Sequence, residues 1–404
     1  MRVAVVHGTN QGFFPRFYKA LYASILNSGY ECRLFSNKSR KNQTTRLQNQ
    51  VFWGGALNWK IHFGLYKLFG VQDFFSFFST ISLIMKLKKY GPDIIHFNVV
   101  NEWIINFPLL VKYINKRGIK VVWTMHDCRA FTGRCAYFDE INCDKWKNGC
   151  GKCPEKRLYW PTWIDNSALQ WKFRAKWFNE IENLTIITPS YWLANFVKNS
   201  FFRTRHVEVI YNGVDTTSFA ARSFLNVREK YHIPPPKTII LGCAISWSSR
   251  KGLFYFRNLA NLLPSKYQIV LVGDMAKDDK IALECDGVLC VGRTTTFEEM
   301  RAWYQEASVF VNPTLADNFP TTNIEALASG TPVVTFNTGG SPEAIDEYTG
   351  RVVAQGDVNG LLNAVVELCN QNRAKLREMC LARSKLFSLD QYNEYVALYK
   401  KLLL

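Results

Sequence analysis

Two stretches in the second half of the chain combine acids, cations and glycines at spacings that suit sugar and phosphate chemistry. Residues 309–343 read VFVNPTLADNFPTTNIEALASGTPVVTFNTGGSPE. A β-branched run, Val309–Val311, enters a loop ending in Asp317-Asn318-Phe319-Pro320, and Ile324, Leu327 and Ala328 then recur at helical spacing. Pro320 suits a first helical position, either Asp317 or Asn318 can cap that start, and Gly330 with Pro332 ends the helix. A second run, Val333–Phe336, leads to Gly339-Gly340 and then to Ser341-Pro342-Glu343, which opens another helix. Two helix N-termini beside each other offer free N–H groups and positive dipole ends to a diphosphate. Asp317 and Glu325 can accept hydrogen bonds from sugar hydroxyls. The plain alternative is a strand–helix–strand unit with routine caps.

The other stretch, Ser246-Trp-Ser-Ser-Arg250-Lys251-Gly252, follows the run Thr238–Cys243 and opens a helix. Cations are disfavoured at that end of a helix, which weakens their reading as a solvated pair. Gly292-Arg293 follows the run Val288–Val291. In the first half, His126-Asp127 ends the run Lys120–Met125, and Val3–Val6 leads into His7-Gly8-Thr-Asn-Gln-Gly12. A histidine at a strand end is by itself more often structural, and a glycine loop after a first strand is a weak signal. Five cysteines, Cys128, Cys135, Cys143, Cys150 and Cys153, lie close together. Cys150-Gly-Lys-Cys153 has zinc-knuckle spacing, and Cys135 and Cys143 could complete a structural zinc site; reduced thiols are the alternative.

Such residues need a frame. Six short apolar runs in the first half and six in the second alternate with longer helical segments, and both-face apolarity marks parallel strands. The pattern implies an α/β chain of two doubly wound domains, with chemistry just after the strand ends. The expected domains are residues 1–212, residues 213–388, and a C-terminal amphipathic helix, 389–404, that packs back on the first domain.

The 404 residues carry 50 Lys and Arg against 33 Asp and Glu, a net charge of +17. The excess is uneven: residues 1–200 hold 28 basic against 12 acidic residues, while the remainder hold 22 against 21. The halves therefore face different partners. A composition 48% hydrophobic and 21% charged excludes a disordered chain. The start lacks the apolar core of a signal peptide and no run reaches the ~20 apolar residues of a membrane span. A cytoplasmic protein is expected, or one lying peripherally on a membrane face. An odd number of cysteines, eleven, argues against a disulfide framework.

Asp317-Asn-Phe-Pro320, Glu325-Ala-Leu-Ala-Ser-Gly-Thr-Pro-Val-Val and Gly339-Gly340 with Glu343 resemble the donor motif of glycosyltransferase family 4. These are retaining enzymes of the GT-B fold, with two Rossmann-like domains across a cleft. The Asp-Asn-Phe-Pro form resembles the branch of capsule and exopolysaccharide assembly. The resemblance implies that Asp317 hydrogen-bonds the donor sugar and Glu325 the ribose. Backbone groups over Asn318, Phe319, Pro320, Thr321 and Thr322 would meet the sugar and diphosphate, and Gly292 and Arg293 the base. Lys251 matches the family's cation on the leaving diphosphate; Ser246 stands where its arginine is usual, so Arg250 would substitute. His126 would bond the donor sugar, and Gly8 and Gly12 would form the first glycine loop.

The resemblance thus implies sugar transfer from a nucleotide-sugar, with a UDP-sugar favoured, to a growing lipid-linked oligosaccharide or polysaccharide, with no catalytic metal and no cofactor beyond the donor. The segment Phe74–Lys89 suggests an amphipathic surface helix able to contact an anionic membrane; a core-packing helix with a basic end is the alternative. The basic half also suits a nucleic-acid binder, but no zinc-finger, homeodomain or RNP pattern accompanies it. A same-fold epimerase or phosphorylase is the remaining rival.

Overall fold

Val3 and Val5 pack into one core while Ala4 and Val6 pack into another, so one strand feeds both faces of a sheet. A computed structural model describes residues 1–8, 14–38, 46–100, 103–154 and 159–404. They form two units, one of Met1–Tyr211 with Asp390–Leu404 and one of Asn212–Leu389.

The first unit holds β1 (Arg2–His7), β2 (Glu31–Asn37), β3 (Gln50–Trp53), β4 (Ile94–Phe97), β5 (Lys120–Thr124), β6 (Leu184–Thr188) and β7 (His206–Val209). All pair in parallel, in the order β3-β2-β1-β4-β5-β6-β7. Chain order reverses between β1 and β4, the switch point outside whose carboxyl ends open α/β sheets bind ligands. The edge strand β3 departs from the six expected. It is four residues long, and such a run cannot be told from a buried turn by periodicity.

One face of this sheet is closed by aromatic packing: Trp123 lies 4.9 Å from Phe178 and 5.9 Å from Phe107, ring centre to ring centre. The other face is closed by the helices Phe14–Asn27 and Gln391–Leu403, which bring Phe17, Tyr18, Tyr392, Tyr395 and Tyr399 into one cluster. A polar pin runs through it. His96, fully buried in β4, meets Tyr399 Oη at 2.7 Å through Nδ1 and Thr124 Oγ1 at 2.8 Å through Nε2. The C-terminal helix is thus fixed to this unit by hydrogen bonds as well as area.

The segment expected as a surface helix forms the helix Phe77–Tyr90. Leu83, Ile84, Leu87 and Tyr90 are buried, whereas Phe77, Phe78 and Met85 are exposed, so it joins the core and the surface alike.

The second unit holds β8 (Thr238–Ser246), β9 (Tyr267–Asp274), β10 (Leu289–Val291), β11 (Val309–Asn312), β12 (Val333–Phe336) and β13 (Gly350–Val353). The sheet is wholly parallel, in the order β10-β9-β8-β11-β12-β13. Its switch point lies between β8 and β11. The loops bearing Lys251 and Asp317 therefore leave the sheet side by side.

Burial holds His62 and His96 uncharged, pushing each imidazole down to about 3. The ordinary value is about 6.5. The unfolded chain therefore binds protons that these buried rings exclude. Their contribution to stability is complete above about pH 6.5, is lost as pH falls, and levels off near the folded values. Denaturant titration should show stability falling by about 1.4 kcal/mol per pH unit for each histidine over that window. A flat profile between about pH 6.5 and pH 4 would contradict the assignment.

Candidate active site

The strongest local constraint in the second unit is a backbone contact between the loops after β8 and β11. Gly252 has φ 76°, and a Cβ there would fall 2.0 Å from the Pro313 carbonyl oxygen. Without a side chain in the way, Leu315 N–H donates to the Arg250 carbonyl at 2.8 Å, and Arg250 Nη1 donates to the Ala316 carbonyl at 2.5 Å. Lys251 Nζ then reaches Asp317 Oδ2 at 2.5 Å. Arg250 thus braces the turn, and Lys251 presents its charge beside the acidic residue.

Asp317 is pressed from the other side as well. Gly339 has φ 59°, and a Cβ there would lie 1.6 Å from the Asp317 carbonyl oxygen. Gly340 N–H donates to the Asn318 carbonyl at 2.8 Å. The Gly-Gly pair is therefore a packing device for the 317–318 backbone. Beneath it lies a buried polar network that the sequence reading missed. Asn323 accepts from Asn312 Nδ2 at 2.8 Å and donates to the Ser341 carbonyl at 3.1 Å and hydroxyl at 3.0 Å. The network fixes the start of the helix to β11 and to the Gly-Gly loop. An asparagine inside an apolar helical stripe is the signal that marks it.

Two expectations about helix starts are corrected. The helix runs Thr321–Ala328, with Pro320 at the N-cap (φ −69°, ψ 114°) instead of in the first helical position, and Pro320 has no side-chain acceptor to cap it. Asp317 is turned to Lys251 instead. Ser341–Ala344 forms only a short 3₁₀ turn, so the 309–343 stretch opens one α-helix, not two. Thr321 and Thr322 begin that helix, directly after Phe319 and Pro320.

Glu325 lies one turn further along, 7% exposed, and accepts from Tyr304 Oη at 3.0 Å. Tyr304 is fully buried and comes from the helix Phe297–Glu306. Burial and the neighbouring Glu325 charge push its phenol far up, so it stays protonated and donates. Tyr304 escaped the sequence reading because an aromatic on an amphipathic helix looks like core. Gly292 and Arg293 stand after β10. Gly292 carbonyl accepts from Gly273 N–H at 3.3 Å, and Arg293 Nε pairs with Asp274 Oδ2 at 2.5 Å, both side chains exposed. Trp247 N–H donates to the Asp274 carbonyl at 2.7 Å, tying this corner to the β8 loop.

In the first unit, Gly8 N–H donates to the Val99 carbonyl at 2.9 Å and Val99 N–H to His7 Nδ1 at 3.2 Å, joining the ends of β1 and β4. Gly12 lies outside the described residues. His126 follows β5, part-buried, its ring edge-on to Phe17 at 5.8 Å. Desolvation pushes it down to about 4 despite neighbouring Asp127. A neutral imidazole offers a hydroxyl one donor and one acceptor. Asp127 is engaged with Arg129, accepting from its backbone N–H at 2.9 Å and from Nε at 2.8 Å.

The zinc expectation is corrected. Among the described residues no three His, Cys, Asp or Glu side chains are placed to hold an ion, and Cys135, Cys143, Cys150 and Cys153 form no disulfide. Burial pushes Cys135 up to about 12 and Cys150 to about 11, and Cys150 Sγ accepts from Gly133 N–H at 3.2 Å.

The model of Glycosyltransferase Family 4 matches residues 16–218, half of the chain, and that of Glycosyl transferases group 1 matches residues 236–371. The chain belongs to glycosyltransferase family 4. A putative colanic acid biosynthesis glycosyl transferase of Escherichia coli, WcaC, is 26% identical over 73% of this chain and 71% of its own. An uncharacterized 41.2 kDa protein in the cps region of Klebsiella pneumoniae is 25% identical over 80% of this chain and 83% of its own. Among solved structures, sucrose-phosphate synthase from Thermosynechococcus elongatus superposes with TM-score 0.74 at 18% identity, covering 100% of this chain and 99% of its own. HepE from Anabaena, in complex with UDP, gives 0.66 at 13%, covering 99% and 100%. The fold is the GT-B type that the resemblance implied, and the protein is a glycosyltransferase.

The contact between Gly339 and the Asp317 backbone can be tested directly. Gly339→Ala should destabilise the protein by about 3 kcal/mol, because the added methyl must displace a carbonyl while adopting a left-handed backbone. Denaturant unfolding measures it, and a cost under about 0.5 kcal/mol, as at a neutral surface position, would refute the close approach.

Proposed function

We propose that the protein transfers a sugar, with retention of anomeric configuration, from a UDP-sugar to a growing lipid-linked oligosaccharide in capsule or exopolysaccharide assembly. The observation that carries the reading is the pairing of Lys251 with Asp317 beside the N-terminus of the helix Thr321–Ala328 at the switch point of the second sheet. That place combines a cation, a carboxylate and a helix N-terminus, the set that a nucleotide-sugar needs. The UDP bound in the HepE structures and the colanic acid biosynthesis for which WcaC is named support the donor and the pathway class.

In this reading the diphosphate takes Lys251 away from Asp317. Lys251, with Arg250 bracing its turn, and the N-terminus of the helix Thr321–Ala328 stabilise the charge that develops as the diphosphate leaves. No metal ion is needed for that compensation. Asp317, once released, accepts from hydroxyls of the donor sugar. Glu325, oriented by Tyr304, holds the ribose, and the backbone at Gly292 and Arg293 meets the base. His126, as a neutral imidazole, bonds the sugar, and Gly8 and Gly12 let the backbone approach it. The acceptor hydroxyl attacks on the face the diphosphate leaves, and a phosphate oxygen takes its proton. No side-chain base is then required. The two units proposed to share this work follow the boundaries near residues 212 and 389.

No helix among the described residues is long and apolar enough to cross a membrane. We place the protein in the cytoplasm, in peripheral contact with an anionic membrane that presents the acceptor.

Purified protein screened against nucleotide-sugars for thermal stabilisation and hydrolysis should respond to a uridine series. Lys251→Ala should lower transfer by about 10²–10³-fold, the usual cost of removing a charge-stabilising group, without lowering Tm materially; Glu325→Gln, which can still accept from Tyr304, should raise the KM for the donor. Full activity in both variants would overturn the site.

A further inference from the structure

An apolar face of the first unit is left uncovered. On the helix Ala56–Phe69, Leu57, Ile61 and Leu68 form one exposed stripe, Leu57 being 73% exposed. At the start of the helix Phe77–Tyr90, Phe77 and Phe78 are exposed, Phe78 by 78%, and Trp163 is exposed by 80%. These groups are stitched into one surface. Trp163 N–H donates to the Lys67 carbonyl at 3.2 Å, and Asn166 Nδ2 donates to the Phe69 carbonyl at 2.7 Å. The Phe69 and Phe75 rings lie 6.1 Å apart, and Phe77 N–H donates to the Phe75 carbonyl at 2.9 Å. Water-exposed apolar surface on this scale marks an interaction site.

Its charge says what kind. Between Val51 and Gly91 the chain carries Lys60, Lys67, Lys86, Lys88 and Lys89, and Asp73 is the only acid. Asp73 is buried and paired with Arg174 at 2.7 Å, so the face presents cations with no exposed carboxylate from these helices. A second copy seated on the same face would set lysines against lysines. Aromatic and aliphatic groups edged by lysines fit the interface of an anionic bilayer.

We propose that the face made by these two helices and the 160–164 segment seats the protein on an anionic bilayer, Phe78 and Trp163 entering the interfacial layer and the lysines meeting lipid phosphates. The proposal rests on the peripheral placement above but on no step of sugar transfer.

Cosedimentation of the full chain with phosphatidylglycerol–phosphatidylcholine vesicles should show salt-sensitive binding that phosphatidylcholine vesicles lack. Replacing Lys86, Lys88 and Lys89 by Glu should weaken it on the order of a hundredfold, about fivefold or more for each lysine. Phe78→Ser with Trp163→Ser should weaken it at all salt concentrations. Both variants should keep the wild-type Tm and wild-type hydrolysis of donor without acceptor, which separates this proposal from the catalytic one. Absence of binding to anionic vesicles at low salt, binding undiminished in both variants, or a wild-type dimer that these variants dissociate would each overturn it.

Discussion

Two carbonyl groups in the second unit sit where a side chain would otherwise be. Pro313 O occupies the space of a Cβ on Gly252, and Asp317 O that of a Cβ on Gly339. Everything at this sheet edge depends on that compression. Because the chain leaving β8 touches the chain leaving β11, Arg250 can hold the Ala316 carbonyl and Lys251 can reach Asp317. Because the chain after β12 touches Asp317 and Asn318, the entry to the helix Thr321–Ala328 has little room to shift. The buried Asn312–Asn323–Ser341 network then satisfies the polar groups that such tight packing shuts off from water. Preorganised groups cost no rearrangement when charge develops beside them.

Much of this was legible in the sequence. Runs such as Val3–Val6 and Val333–Phe336 are apolar at every position because both faces are covered, and that pattern identifies a parallel sheet without any partner being known. Asp317, Glu325 and Lys251 stand out because charged residues follow apolar strands. What escaped is of a different kind. β3 is an edge strand of four residues, too short for a period to emerge. Tyr304 and Asn323 act through burial, and burial is a property of the fold, not of local spacing. Pro320 fits the first helical position by its fixed φ, yet its ψ of 114° places it just outside the helix, a choice made by the Gly-Gly contact. The four clustered cysteines show the reverse error: spacing suggested ligation, while the fold places no three ligand side chains together among the described residues.

The charge asymmetry of the chain resolves along similar lines. The near-neutral second unit carries the nucleotide-sugar motifs, where individual groups at fixed positions matter more than overall field. The basic first unit keeps His126 uncharged: desolvation lowers it to about 4, so the unit's excess charge lies in lysines and arginines instead. Such charges act at the distance of a Debye length, roughly 10 Å, on any polyanionic surface.

Two ion pairs show how burial separates structure from function here. Arg174 and Asp73 in the first unit have side chains 0% and 8% exposed, and each makes a further bond, Arg174 Nη1 to the Thr132 carbonyl at 2.8 Å and Asp73 from Gln170 Nε2 at 2.8 Å. Breaking that pair would strand a charge out of water, at a cost of about 3–5 kcal/mol, so it can serve only as scaffold. Lys251 and Asp317 have side chains 24% and 17% exposed. Water reaches both, and such a pair contributes about 1 kcal/mol or less. In the proposed function, an incoming diphosphate with at least two negative charges would offer Lys251 a stronger partner and leave the Asp317 carboxylate solvated. A pair of that strength would hold both groups in place before a ligand arrives and open when it does.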